Sequence, residues 1–207
     1  MRRTSSSWCA ASRALVAVAL AALAALASAQ APAPLEGKAL LSTLRAGGVT
    51  LYFRHVATDF GQNDERYVDG DCSTQRNLTD AGRADARRIG AEIKRLRIPI
   101  GEVRASPFCR TVETATLIFG RAERAPEARG GPAVAEAERY ADLKKLLATP
   151  PAKGTVRVIA SHGNPFRAVT TAPYLAEGEM AVIEPQGNGK FRIVARVTKT
   201  GWAALAP

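Results

Sequence analysis

Three short β-rich runs, "VTLYF" (49–53), "IGEVRAS" (100–106) and "TVRVIAS" (155–161), punctuate the chain, and helical segments separate them. "VTLYF" does not alternate apolar with polar, as expected of a strand covered on both faces. "LEGKALLSTLRAGG" precedes it with apolar residues at helical spacing and a Gly47-Gly48 stop. "LTDAGRADARRIGAEIKRLRI" reads as the clearest helix. Thr79 is its N-cap, Asp80 suits its first turn, and Ala81, Ala84, Ile89, Ile93 and Leu96 form its apolar face. "CRTVETATLIFG" and "VAEAERYADLKKLLA" read as two further helices, and Pro165 fits the first turn of another that starts beyond it. "EMAVIEP" and "KFRIVARVT" flank "QGNG", a hairpin signal. Residues 57–77 and 121–133 read as loops. The order implies an α/β fold: a three-layer α/β/α sandwich with a mostly parallel sheet.

The N-terminus follows a different logic. Arg2, Arg3 and Arg13 precede or open the apolar run "ALVAVALAALAALASA", which ends in the small-x-small pattern Ala27-Ser28-Ala29. We read residues 1–29 as a signal peptide, 30–37 as a disordered entry segment and 38–207 as one domain. The chain is therefore expected to be exported, periplasmic or secreted, with no stable membrane span after cleavage. Removing three arginines lowers the formal net charge from +10 to +7, a balance that fits anionic ligands, anionic envelope surfaces or a merely solvated basic surface, between which composition does not decide. No Lys/Arg block interleaved with aromatics argues for nucleic acid. An exported protein with Cys72 and Cys109 as its remaining cysteines permits a disulfide; two buried thiols are the other reading. Their spacing is not that of a zinc site.

In open α/β sheets the ligand crevice lies beyond the carboxyl ends of the strands. Arg54 and His55 follow the first run, Arg110 follows the second, and His162 follows the third. These are both histidines of the chain. A neutral imidazole is a competent nucleophile near neutral pH, and arginine forks bind the oxygens of a transferring phosphoryl group. The helix starting near Arg110 can add amide donors.

"LYFRH", "RNLTDAGRADA", "SPFCRTVETA" and "VIASHGNPFRAV", in that order, resemble the histidine phosphatase superfamily, the phosphoglycerate mutase-like fold. The resemblance implies a phosphohistidine at His55, phosphate contacts from Arg54, Arg110 and His162, and neither metal nor cofactor. It further implies a carboxylic acid that protonates the leaving oxygen. Glu136 and Glu138 lie at the family's spacing, with Asp59, Asp142 and Glu184 as outside candidates. Thr58 stands where the family has a Thr or Ser and is a candidate substrate contact. Ser106 reads as a helix cap or a phosphate contact, the cap being preferred. Val56 departs from the family's glycine after the nucleophile, and it is expected either to narrow the pocket by its bulk or to mark an unusual subgroup. A Cys72–Cys109 disulfide would pin the 57–77 loop beside the site. The activity so implied is a histidine acid phosphatase-type phosphomonoesterase, acting on an envelope or extracellular small molecule or glycan. A non-catalytic phosphoryl-ligand binder of the same fold is the alternative.

Overall fold

A computed structural model describes residues 32–129 and 136–205, with the side chains of 136 and 137 excepted. The expected signal peptide and the Glu136 side chain lie outside the described residues. The described part of the entry segment is tied to the domain: the Leu35 N–H donates to the Val194 carbonyl at 2.7 Å. The first helix, α1, already spans Gly37–Ala46.

Strand β1 (Thr50–Arg54) leads through a long loop and α2 (Asp80–Arg95) to β2 (Ile100–Ala105). Helix α3 (Cys109–Phe119) follows, then a two-residue strand β3 (Glu123–Arg124). Helices α4 (Glu136–Arg139) and α5 (Ala141–Ala148) precede β4 (Val156–Ser161), and α6 (Gly163–Thr170) succeeds it. The hairpin β5 (Met180–Gly187) and β6 (Lys190–Val197) and a last turn α7 (Gly201–Ala204) complete the chain. The sheet order is β3-β2-β4-β1-β5-β6. The first four strands run parallel; β5 pairs antiparallel with β1, and β6 pairs antiparallel with β5.

The period-two geometry of a strand sends alternate side chains of β1 to opposite faces. Leu51 and Phe53 join one apolar layer with α1, α2, α3 and Trp202, whereas Tyr52 joins the other with Leu143, Leu147 and Phe166. The three-layer reading is the observed architecture. β1 lies at its centre, between β4 and β5, so its carboxyl end opens where ligands bind in such sheets.

Local details correct the sequence reading. Thr79 caps α2, its hydroxyl accepting from the Gly82 amide at 3.0 Å. The buried face of α2 is Gly82, Ala86, Ile89 and Ile93, continued by Leu96; Ala81 and Ala84 are exposed. The helix presses on the loop after β1, and a Cβ at Gly82 would come within 2.3 Å of the Ala57 carbonyl oxygen. That approach explains the glycine in "TDAGRADA". Tyr140 interrupts the single helix expected over 134–148. α6 starts at Gly163, before Pro165; the proline sits among the first four residues, whose N–H groups have no intrahelical partner. Strand β3 falls inside the expected 121–133 loop, where two residues carry no periodicity to read. The hairpin turns on Asn188 and Gly189, both at positive φ, as an Asn-Gly turn requires.

Candidate active site

The site begins with how the fold aims His55. β1 ends at Arg54, and the His55 amide donates to the Ser161 carbonyl at the end of β4, 3.1 Å away. The ring Nδ1 lies 2.9 Å from the Val56 carbonyl oxygen. A carbonyl can only accept, so Nδ1 carries the hydrogen and the neutral ring keeps its lone pair on Nε2. Burial and then the neighbouring Arg110, Arg54 and Arg76 push the His55 pKa down to about 3. The imidazole is therefore neutral across the physiological range.

His162 stands at the N-cap of α6 with its ring centroid 5.6 Å from that of His55. Its Nε2 is 2.8 Å from the Ser106 hydroxyl, and the Tyr52 hydroxyl donates to its carbonyl at 2.9 Å. Burial, then Arg110 and His55, hold its pKa well below the usual histidine range. Ser106 thus does not cap α3, whose N-cap is Phe108 with no side-chain bond.

Arg110 is the second residue of α3 and almost wholly buried. Its Nη1 donates to Asp64 at 2.9 Å and to the Arg76 carbonyl at 3.3 Å. Arg54 donates from Nη1 to the Leu175 carbonyl at 2.7 Å. The Nε atoms of Arg54, Arg76 and Arg110 are buried without a hydrogen-bond partner among the described residues. An unmade bond from a cationic donor is costly, and these three donors suit an anionic ligand. The first amide of α3 is not among the free donors: the Cys109 N–H donates to Gln75 Oε1 at 2.9 Å.

A cavity of about 360 Å³ joins these groups, lined by Arg54, His55, Arg110 and His162 together with Asp64, Arg76 and Arg129. Gly163 and Asn164, the first two residues of α6, form part of its wall. Burial favours the neutral form of Asp64, but the Arg76 amide and the Arg110 guanidinium outweigh it and hold the carboxyl below its usual range. Asp64 is therefore an anchor for Arg110 and not a proton donor. Among the described residues no group of three or more metal-ligating side chains is gathered.

Several candidates lie elsewhere. Thr58 is buried and donates to Glu177 Oε1 at 2.8 Å; it does not line the cavity. Glu138 and Asp142 are exposed and Asp59 and Glu184 half-buried, and none of the four lines the cavity. Val56 does not narrow the pocket. Its φ is outside the left-handed region, and its side chain is buried in the same apolar layer as Phe53 and Leu78.

Arg76, Arg129, Asp64 and Glu177 were not singled out in the sequence. Glu177 sits 3.8 Å from His55 Nδ1 and 3.9 Å from Arg54 Nη2. Arg76 opens the quoted "RNLTDAGRADA" and could have been found there; Arg129 lies in a featureless loop.

Cys72 and Cys109 form a disulfide, with Cα atoms 5.7 Å apart. It ties the loop that carries Asp64 and Arg76 to the helix that carries Arg110. In the loop-entropy picture, closing 37 residues contributes about 3–4 kcal/mol. The Cys72→Ser, Cys109→Ser variant should lose that much in urea unfolding and bind phosphate more weakly. An unchanged midpoint would remove the staple from the account.

Titration of the histidines gives a second expectation. Between the ordinary pKa of 6.5 and the folded value of about 3, unfolded chains bind a proton at residue 55 that the native state refuses. Stability therefore rises with pH across that window and is lost as pH falls through it. Urea midpoints at pH 7 and pH 4.5 should differ by less in His55→Asn than in the native protein. Equal slopes would place the buried neutral imidazole elsewhere.

Residues 51–136 match the family model of the histidine phosphatase superfamily (branch 1). No curated protein matches the chain in sequence. Among solved structures, the putative phosphohistidine phosphatase SixA from Agrobacterium tumefaciens superposes with a TM-score of 0.52 at 16% identity, covering 73% of this chain and 98% of that one. The protein histidine phosphatase SixA complexed with tungstate gives 0.52 at 20% identity, with 73% and 97% covered. A mycobacterial glucosyl-3-phosphoglycerate phosphatase gives 0.50 at 14% identity, with 72% and 95% covered. At these identities the likeness is one of fold.

Proposed function

The chain belongs to the histidine phosphatase superfamily, and on that premise we propose that it is a phosphomonoester hydrolase working through a phosphohistidine at His55. The observation that carries this reading is the tautomer of His55. Its Nδ1 hydrogen is committed to the Val56 carbonyl, which leaves the Nε2 lone pair for a cavity lined by Arg54, Arg110 and His162.

The steps follow from these groups. Nε2 attacks phosphorus as the ester P–O bond breaks, and the leaving oxygen takes a proton from a carboxylic acid. Water then attacks the phosphohistidine, gives its proton to the same carboxylate, and phosphate leaves with the imidazole restored. Arg54, Arg110 and His162 donate to the equatorial oxygens, where the transition-state charge lies. Glu177, 3.8 Å from Nδ1, stabilises the positive charge that the ring acquires when Nε2 is phosphorylated.

We assign the proton donor to Glu136, because Glu138 lies outside the cavity lining. Glu136→Gln should lower kcat on alkyl phosphates by about 10²-fold and on p-nitrophenyl phosphate far less, since a nitrophenolate leaves unaided. Glu138→Gln should leave both rates near the native values. The reverse pattern would move the acid to Glu138.

Export remains part of the proposal. The N-terminal apolar run supports it, and among the described residues no helix is long and apolar enough to cross a membrane. An envelope or extracellular phosphorylated small molecule or glycan fits that location. The second reading, a phosphoryl-ligand binder without turnover, is favoured by one observation: the only carboxylate in the described lining is Asp64, which is held ionised. A panel of phosphomonoesters with His55→Ala as the blank separates the two. Hydrolysis above the blank supports the enzyme; phosphate or vanadate binding with no hydrolysis supports the binder.

A further inference from the structure

The crevice takes two of its groups from the loop between β1 and α2. Asp64 and Arg76 of that loop meet Arg110 of α3, which donates to the Asp64 carboxylate at 2.9 Å and to the Arg76 carbonyl at 3.3 Å. The Tyr67 ring reaches Phe108, with centroids 4.5 Å apart. Otherwise the loop faces solvent: residues 60–63 and 68–73 are exposed. A segment with so little apolar burial opens locally at small cost unless something else holds it. The covalent hold is Cys72–Cys109, and Cys109 is the first residue of α3, directly before Arg110.

That hold is open to attack. Cys72 is exposed and Cys109 half-buried. Both line a second cavity of about 380 Å³, walled by Pro107, Val112 and Leu117, which shares no described lining residue with the crevice. A small thiol can therefore reach the disulfide without entering the phosphate site. Exposed disulfides are the ones that exchange with external thiols and serve regulation. The two cysteines also differ as leaving groups. Cys109 stands at the amino end of an 11-residue helix, where the dipole favours a thiolate, and the more acidic thiol leaves faster.

We propose that the Cys72–Cys109 disulfide is a redox-controlled latch on the crevice. A dithiol opens it from the second cavity and lowers the affinity for phosphate; the disulfide form of such a reagent closes it again. One thiolate of the dithiol bonds to Cys72 Sγ as the S–S bond breaks, and Cys109 leaves as a thiolate and takes up a proton. The second thiolate of the dithiol then bonds to the first, and Cys72 leaves as a thiol. Two electrons pass from the dithiol, which becomes a disulfide, to the two cysteines. With the latch open, the loop is tied to α3 by hydrogen bonds and one ring contact, so Asp64 no longer holds the Arg110 fork in a fixed place. The inference rests on the phosphoryl-binding part of the reading above and adds its regulation.

The test compares oxidised, dithiothreitol-reduced and re-oxidised protein in native buffer. Iodoacetamide mapping reads the state of Cys72 and Cys109, near-UV circular dichroism reads the fold, and calorimetry reads inorganic phosphate binding. Both cysteines should become alkylated while the protein stays folded. The Kd for phosphate should rise by about tenfold or more, the size of an ordinary coupling between sites, and return on re-oxidation. KM for p-nitrophenyl phosphate should rise in parallel, with kcat less affected. Cys72→Ser, Cys109→Ser should match the reduced protein and ignore dithiothreitol. Cysteines that stay unreactive in the folded protein overturn the latch. So does a reduced protein that unfolds, which makes the disulfide a staple alone, or a folded reduced protein with unchanged phosphate affinity. If the oxidised protein hydrolyses no ester, only the phosphatase reading fails, and the phosphate affinities of the two forms still decide the latch.

Discussion

His55→Ala abolishes turnover of phosphomonoesters while leaving phosphate binding within a few-fold of native. The loss should reach about 10⁴-fold or more, because removing a covalent nucleophile removes a step rather than a contact. Binding persists because the anion is held by arginines on other elements: Arg54 anchored to Leu175 and Arg110 anchored to Asp64. The substitution also removes a buried ring, so the fold is checked by urea unfolding of the same sample. Native-like unfolding with turnover retained would mean that His55 is not the nucleophile.

Arg110→Ala should lower kcat/KM by about 10²–10³-fold, the range seen when one preorganised donor to a developing oxyanion is removed. Two causes act together. The phosphoryl group loses a cation, and Asp64 loses the partner that faces it at 2.9 Å. The freed carboxylate then presents negative charge to an incoming phosphate. Arg110→Ala with Asp64→Asn should therefore recover part of the phosphate affinity that Arg110→Ala loses. Steady-state kinetics on p-nitrophenyl phosphate and phosphate calorimetry read the two effects separately. No recovery would show that Asp64 acts only as a structural anchor.

The centre of this site was legible because strand ends are legible. His55, Arg110 and His162 each follow a β-rich run, and the parallel sheet delivers all three to one crevice. What the sequence could not show was the aim of short side chains. Thr58 and Ser106 are both hydroxyls near the crevice, and their roles differed from the reading. Thr58 turns to Glu177, whereas Ser106 meets His162 across the β2 and β4 strand ends. Those distances depend on tertiary contacts 119 and 56 residues apart in sequence. Val56 misled for a similar reason. A β-branched residue after the nucleophile reads as an obstruction until its backbone turns the side chain into the core. Arg129 carried no signal, since its place is set by Tyr67 and Phe108 from two other segments.

The central claim is that His55 Nε2 becomes bonded to phosphorus. Rapid alkaline quenching during turnover, followed by peptide mapping, reads it directly, because phosphohistidine survives base and is lost in acid. The account predicts a phosphoryl group on the peptide containing His55, attached at Nε2 since Nδ1 is committed to the Val56 carbonyl. It predicts none in His55→Ala. Turnover with no phosphohistidine, or with phosphate on another residue, would contradict it.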